Sequence, residues 1–342
     1  MACSSPIYRI DLNKYRIPQK YYHKAVNGGV IFGLDEYDKF AKVLDPHHFQ
    51  QLRCGSCIDC RLNYSHQWAV RCMLESEYHE RCYFVTLTYE DSFLPKGNFV
   101  GYDGQIYESS LSLKDIQKFL KRLRKRFNKS FRYFYCGEYG ELNHRPHYHL
   151  ILFGTPDLDL QFLKSQRGIN YYRSSVIESA WTDPKSGISL GHVVVTDFNY
   201  DTAAYVTRYM MKKKKGKSVK DLLNADLPDG YSPLVNCFAH QSRMPGLAKA
   251  YFDDHKDSIY QKDQILYQKE YQVYSSKPPR YFDKLFDVED PELMQRLKDR
   301  RSELANINFD SRSHLVSEEL FDRLAREEGM RARKEERRFS SL

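Results

Sequence analysis

Apolar residues alternate with polar ones in four segments of the chain, a period that is typical of strands. Segments 82–89, 131–138 and 146–153 are rich in β-branched and aromatic residues, and segment 192–198 alternates around three valines. The residues between the second and third segments, 137–145, favour a turn. These two strands are therefore expected to pair as an antiparallel hairpin.

A second period, that of an amphipathic helix, is clearest after Ser112, which forms a capping box with Asp115. Apolar residues recur at helical spacing behind this cap: Ile116, Phe119, Leu120, Leu123 and Phe127. Further helices are expected over 61–80, 174–181, 202–214 and 316–338. Asp201 is the expected N-cap of the helix at 202–214.

Together these elements predict an α+β fold in which a mainly antiparallel central sheet is flanked by helices. Residues 1–53 show no clear period and are expected to be irregular. We expect three parts in the chain: an N-terminal segment at 1–80 with a cysteine-rich loop and a helix, a core at 81–216, and a partly helical accessory region at 217–342.

The charge and the aromatic content fit a nucleic-acid-binding protein without requiring one. The 342 residues carry a formal net charge of +8 and include 27 tyrosines and 20 phenylalanines. The candidates for contacts with phosphate are Lys121, Arg124 and Lys125 on the capped helix, with Arg208 and Lys213 in and beside the helix at 202–214. Simple exposure of these basic residues to water is the alternative.

No segment of the chain matches a signal peptide or reaches the length of a membrane span. We therefore expect an intracellular protein whose eight cysteines are free or metal-bound rather than disulfide-bonded. Cys54, Cys57 and Cys60 share one short loop, and Cys72 or His66 could supply a fourth ligand for a structural Zn²⁺. Buried or free thiols are the alternative.

Two histidines on the third predicted strand are candidate metal ligands. His147 and His149 lie two residues apart, so their side chains share one face of the strand. Glu138, at the end of the partner strand, could add a carboxylate, whereas His144 on the turn is a poorer candidate. Such a donor set leaves coordination positions open and accepts Mg²⁺ or Mn²⁺ together with a phosphate. Hydrogen-bonded or solvent-exposed histidines are the alternative.

Two tyrosines on the helix at 202–214 are candidate nucleophiles. Tyr205 and Tyr209 lie four residues apart, and Lys212 continues the same helix face, which we expect to point away from the sheet. A phenol activated by a metal ion and a lysine can attack a phosphate and leave a phosphotyrosine and a free 3′-hydroxyl. Tyrosines at this spacing also occur in ordinary cores.

Three segments in this order resemble the motifs of HUH endonucleases: 84–89, 137–149 and 205–212. The form with two tyrosines, and a lysine three residues after the second, resembles the replication initiators of small single-stranded DNA phages. With the cysteine segment and the stretch at 278–282, the chain is most similar to the initiators of the gokushovirus branch of Microviridae.

The resemblance implies metal-dependent, site-specific nicking and joining of single-stranded phage DNA through a covalent 5′-phosphotyrosine during rolling-circle replication. It implies that His147 and His149 bind Mg²⁺ or Mn²⁺, with Glu138 as the matching third ligand. Tyr205 and Tyr209 would alternate as nucleophiles, and Lys212 would be the lysine of the motif.

Expected partners are the phage replication origin and a host helicase and polymerase, because no Walker-type phosphate loop is visible in the sequence. The expected location is the cytoplasm of the host bacterium, with no membrane partner. Two other functions remain open: a non-catalytic single-stranded DNA-binding or packaging protein, and a related HUH transposase. The second tyrosine argues against the common transposases, which use one.

Overall fold

The computed structural model describes residues 3, 6–13, 15–26, 29–44, 48–101, 103–140, 143–166, 168–208, 227–269 and 271–310. The chain divides into two compact units. The first unit comprises the described residues up to Tyr64 and those from Arg301 onward, and the second unit is Ser65–Arg300. The three-part division at residues 80 and 216 stays a prediction.

A four-stranded sheet organises the first unit. Its strands are β1 (Ile7–Asp11), β2 (Lys24–Val26), β3 (Gly29–Phe32) and β4 (Gln50–Leu52), in the order β2-β3-β1-β4, with helix α1 (Leu34–Ala41) following β3. Its buried core consists of Tyr8, Ile10, Ile17, Val30 and Phe32. The expectation that residues 1–53 are irregular is therefore wrong, because strands of three to five residues are too short to show a period.

The remaining strands are β5 (Cys82–Thr88), β6 (Lys96–Val100), β7 (Ile106–Ser109), β8 (Arg132–Tyr139), β9 (Pro146–Phe153), β10 (Leu160–Gln166), β11 (Ile169–Ser174), β12 (Val193–Asp197), β13 (Tyr231–Pro233), β14 (Phe238–Gln241), β15 (Ile265–Lys269) and β16 (Gln272–Ser276). The helices after α1 are α2 (Ile58–Ser76), α3 (Leu113–Phe127), α4 (Ser175–Ala180), α5 (Tyr200–Arg208), α6 (Lys249–Lys262), α7 (Arg280–Glu289) and α8 (Pro291–Asp310).

Seven strands form the central sheet of the second unit, in the order β10-β11-β12-β5-β9-β8-β14. Every neighbouring pair in this sheet is antiparallel, and β8 and β9 form the predicted hairpin. Smaller sheets are formed by β13-β6-β7 and by β15-β16. The α+β fold with a mainly antiparallel sheet and flanking helices is thus confirmed.

The two faces of the central sheet are covered by different helices. Tyr148, Leu150 and Leu152 of β9 point to one face and pack in a core with the apolar residues of α3 and with Trp181. The intervening residues of β9 point to the other face, because side chains alternate along a strand. Helices α2 and α5 cover that face, where the ring of Trp68 lies 5.4 Å from that of Phe134.

The helix starts show which local signals were sufficient. The Ser112 hydroxyl accepts a hydrogen bond from the Asp115 amide at 3.3 Å, so the predicted cap of α3 is confirmed. Asp201, by contrast, is not the N-cap of α5, because the helix begins at Tyr200. The Asn199 side chain accepts from the Thr202 amide at 2.9 Å, and the Thr202 hydroxyl accepts from the Asn199 amide at 2.9 Å. This reciprocal pair places the cap two residues earlier.

Residues 209–214 and the helix expected at 316–338 lie outside the described residues. Within the part of the chain that the structure covers, no helix is both long enough and apolar enough to cross a membrane.

Tyr148 is expected to stabilise the second unit through its hydroxyl. This group accepts a hydrogen bond from the Ser112 amide at 2.8 Å, donates to the Ser112 carbonyl at 2.9 Å, and lies 3.0 Å from the Tyr89 hydroxyl. Tyr148→Phe should lower the free energy of unfolding by about 1–3 kcal/mol, because buried polar groups lose their partner. Urea unfolding measures this.

The matched control is Tyr271→Phe, since the Tyr271 side chain is fully exposed. It should change the free energy of unfolding by less than about 0.5 kcal/mol. Equal effects of the two substitutions would contradict the assignment.

Candidate metal centre and tyrosine helix

The register of three strands brings the candidate metal ligands together. Glu138 of β8 pairs directly with His147 of β9, and Cys136 pairs with His149. On the other edge of β9, His149 pairs with Thr86 of β5. Because alternate residues share a face, Glu138, His147 and His149 all project from the face of the sheet that α2 and α5 cover.

Three potential ligand atoms converge at this point. Glu138 Oε1 lies 2.8 Å from His147 Nε2 and 3.1 Å from His149 Nε2. Glu138 and His149 are buried, with 2% and 6% of their surfaces exposed, whereas His147 is half-buried. One ligand atom from each residue lies within 4.8 Å of the others, so the group could hold a metal ion.

The far nitrogen of each imidazole is oriented by a neighbouring oxygen. His147 Nδ1 lies 3.0 Å from the Arg145 carbonyl, which can only accept, so Nδ1 carries a proton. His149 Nδ1 lies 3.0 Å from the Thr86 hydroxyl. Such outer contacts fix the ring and direct Nε2 towards a metal. The short contact of His147 Nε2 with Glu138 then needs either a second proton on the ring or a shared cation in its place.

The Glu138 carboxyl is held in its ionised form. Burial alone would raise the pKa of Glu138, but the hydrogen bonds from His147 and His149 outweigh it and lower this pKa to about 2. The centre therefore combines one carboxylate anion with two imidazoles at neutral pH. This donor set fits a divalent cation that keeps open positions for a substrate.

Helix α5 places Tyr205 beside this centre. The ring centroid of Tyr205 lies 5.1 Å from that of His149 and 6.1 Å from that of Phe84. The expectation that Tyr205 points away from the sheet is therefore wrong. The opposite side of the helix is also enclosed, since the Ser65 hydroxyl of α2 donates to the buried Thr207 hydroxyl at 3.2 Å. The half-buried tyrosine thus lies between the helix and the metal ligands.

Three of the candidate residues after Tyr205 lie outside the described residues: Tyr209, Lys212 and Lys213. Arg208 is described as the last residue of α5 and is half-buried. Its position on the helix that carries Tyr205 keeps it in the neighbourhood of the centre.

The basic residues of α3 are exposed but lie across the sheet from the metal ligands. Lys121, Arg124 and Lys125 are all solvent-exposed. The apolar face of α3 packs on the side of β9 that carries Tyr148, not on the side that carries the histidines. These three residues are therefore separated from the centre by the thickness of the sheet.

The cysteine loop gathers a different fourth residue from the one that the sequence indicated. Cys54, Cys57 and Cys60 group with Cys3, not with Cys72. Cys72 lies twelve residues after Cys60 on α2, which is about 18 Å along the axis at about 1.5 Å per residue. His66 is also outside the group, and its Nδ1 lies 3.0 Å from the Tyr200 hydroxyl.

Sequence reasoning missed Thr86, Phe84 and Cys3. Thr86 and Phe84 belong to the strand segment quoted for the resemblance, and their alternation with Val85 and Leu87 would have placed them on one face. Their role needs the register between β5 and β9, which the sequence does not supply. The signal for Cys3 was the need for a fourth thiol after three had been found.

Comparisons with known proteins identify the family of the chain. The model of the replication-associated protein ORF2 family matches residues 82–214. The replication-associated protein ORF2 of Spiroplasma virus 4 is 30% identical over 337 residues, covering 96% of this chain and 94% of that protein. The replication-associated protein VP4 of Bdellovibrio phage phiMH2K is 27% identical over 240 residues, which are 70% of this chain and 68% of that protein. No solved structure matches the chain.

The fold and the site define an α+β protein with a strand-borne pair of histidines, a carboxylate and an adjoining tyrosine helix. The chain belongs to the replication-associated protein ORF2 family.

Metal binding should depend on the three converging residues and on Thr86. His149→Ala should abolish Mn²⁺ binding, and Thr86→Val should weaken it about 10- to 100-fold, because the ring of His149 loses the hydroxyl that orients it. Isothermal titration of the full chain with Mn²⁺ measures both effects.

His144→Ala is the matched control, since His144 lies on the same hairpin but outside the ligand group. Its Mn²⁺ affinity should equal that of the unaltered protein. Full Mn²⁺ binding by His149→Ala would exclude this centre.

Proposed function

We propose that this protein initiates rolling-circle replication by nicking and rejoining single-stranded phage DNA in a metal-dependent reaction. The observation that carries the proposal is the contact between Tyr205 and His149, whose ring centroids are 5.1 Å apart. This contact puts a phenol next to a group of residues suited to a divalent cation. Membership in a family of replication-associated proteins supports the same assignment.

The charge of the centre suits a phosphodiester substrate. Glu138 contributes one negative charge, and His147 and His149 contribute neutral imidazoles once a metal ion is bound, so Mg²⁺ or Mn²⁺ leaves a net positive charge for a phosphate oxygen. When bound, this ion polarises the scissile phosphate and offsets the charge of the transition state. Burial of Glu138 and His149 keeps water from competing with these contacts.

The reaction that we propose conserves the energy of the phosphodiester. The phenolic oxygen of Tyr205 attacks phosphorus and loses its proton to solvent, while the bond from phosphorus to the 3′-oxygen breaks. The 3′-oxygen takes up a proton and leaves as a free hydroxyl, and the 5′-phosphate stays on the tyrosine. A later attack by a 3′-hydroxyl on this phosphotyrosine reverses the step and joins the strand.

Tyr209 and Lys212 complete this proposal from the sequence. Tyr209 is the second nucleophile, which attacks a second phosphate while Tyr205 remains joined to DNA. Lys212 stabilises the phosphoryl group. Residues 81–216 form the endonuclease core that holds these groups and the metal ligands.

The DNA contacts divide between the two faces of the sheet. Arg208 and Lys213 contact the strand close to the cleaved phosphate, since they lie in or just after α5. Lys121, Arg124 and Lys125 contact flanking DNA by charge, because the sheet separates them from the metal ligands. The substrate is the phage origin, and a host helicase and polymerase act with the protein in the cytoplasm of the host bacterium.

Incubation with the circular single-stranded genome of the encoding phage tests the proposal. With Mn²⁺ or Mg²⁺ present, a protein–DNA adduct that survives denaturation should form, and mass spectrometry should locate it on Tyr205 or Tyr209. The double variant Tyr205→Phe/Tyr209→Phe should form no adduct, because a phenyl ring has no nucleophilic oxygen. It should still retard the DNA in a gel.

Tyr200→Phe is the matched control, because Tyr200 lies on the same helix but its hydroxyl contacts His66 at 3.0 Å. It should form adduct at the rate of the unaltered protein. Tight binding of this genome with no adduct would replace the proposal with a non-catalytic binding or packaging protein. An adduct on any other residue would overturn the choice of nucleophile.

A further inference from the structure

Four cysteines of the first unit converge at the start of helix α2. The Sγ atom of Cys3 lies 3.5 Å from that of Cys54, 3.7 Å from that of Cys57 and 3.5 Å from that of Cys60. The Sγ atoms of Cys54 and Cys60 are 3.9 Å apart. Cys57 and Cys60 are buried, and Cys3 and Cys54 are half-buried.

These separations match a single metal ion bound by four thiolates. Zinc–sulfur bonds are about 2.3 Å long, and the corners of a tetrahedron with that radius are about 3.8 Å apart. The four measured separations span 3.5 to 3.9 Å. A disulfide would need about 2.05 Å between two sulfur atoms. An iron–sulfur cluster would need wider spacing, because its own iron and sulfide atoms lie between the thiolates.

Backbone amides point at the sulfur atoms, as expected for thiolates. The amides of Ser56 and Cys57 donate to Cys54 Sγ at 3.4 and 3.3 Å, and the Cys54 amide donates to Cys3 Sγ at 3.4 Å. Gly55 makes this tight turn possible with a φ of +76°, a conformation that glycine adopts without strain. Donors of this kind stabilise the negative charge of metal-bound sulfur.

We propose that Cys3, Cys54, Cys57 and Cys60 bind one structural Zn²⁺. Four thiolates fill a tetrahedral coordination shell and leave no open position, so the site has no catalytic role. Among the divalent metals, zinc combines a preference for thiolates with tetrahedral geometry and has no redox chemistry.

The structure also indicates what this zinc does. Among its described residues, the first unit has a core of five buried side chains, and cores this small commonly require a metal or a disulfide. Cys3 precedes β1, whereas Cys60 lies in the first turn of α2, so the ion joins the start of the sheet to the start of the helix. Zinc binding is therefore coupled to the folding of residues 3–64.

Elemental analysis of the full chain tests the proposal. The His147→Ala/His149→Ala background is used, because the other centre could also take zinc. Purified under reducing conditions, this protein should contain one zinc per chain. The added change Cys3→Ser should remove most of it, whereas Cys72→Ala should leave it unchanged, since Cys72 is outside the group.

A second measurement avoids variants that fail to fold. Titration of the unaltered cysteine set with a mercurial should release one zinc as four thiols react, and Co²⁺ in its place should give the intense visible bands of tetrahedral thiolate coordination. Limited proteolysis within residues 3–64 should accelerate when zinc leaves. Protein without metal after reconstitution, iron in place of zinc, or loss of zinc from Cys72→Ala but not from Cys3→Ser would each overturn the proposal.

Discussion

Strand β9 is hydrogen-bonded on both edges, to β5 and to β8, and its register sets the positions of the metal-binding side chains. A shift by one residue would turn His147 and His149 into the apolar core under α3 and bring Tyr148 to the metal face. Tyr148 opposes such a shift, because its hydroxyl is bonded to both backbone groups of Ser112. The start of α3 and the geometry of the metal centre are therefore fixed by the same strand.

The central sheet separates stability from chemistry. The face that carries Tyr148 and Leu150 holds the largest apolar core together with α3 and α4. The other face holds a buried carboxylate that would be costly without partners, and the two histidines supply them. The same contacts that make burial of Glu138 tolerable keep it ionised and available as a ligand. Tyr205 reaches this face because α5 lies across it.

The two groups of candidate metal ligands that the described residues form differ in the way that their proposed roles require. The group around Glu138 offers three ligand atoms of carboxylate and imidazole, which leaves positions for a substrate. The group around Cys57 offers four thiols, which close the coordination shell. The open group lies in the large second unit, where a broad core holds its strands, whereas the closed group lies in a unit whose own core is small.

The sequence by itself determined the features that depend on neighbours in the chain. Alternation placed His147 and His149 on one face, and the turn residues determined the β8–β9 hairpin, because both signals are local. Only the tertiary structure decided that Tyr205 contacts the metal ligands, since the rotation of α5 depends on what α2 and the sheet leave open. It also selected Cys3 over Cys72, because Cys3 and Cys54 are 51 positions apart and nothing in the chain between them signals their closeness until the first unit folds.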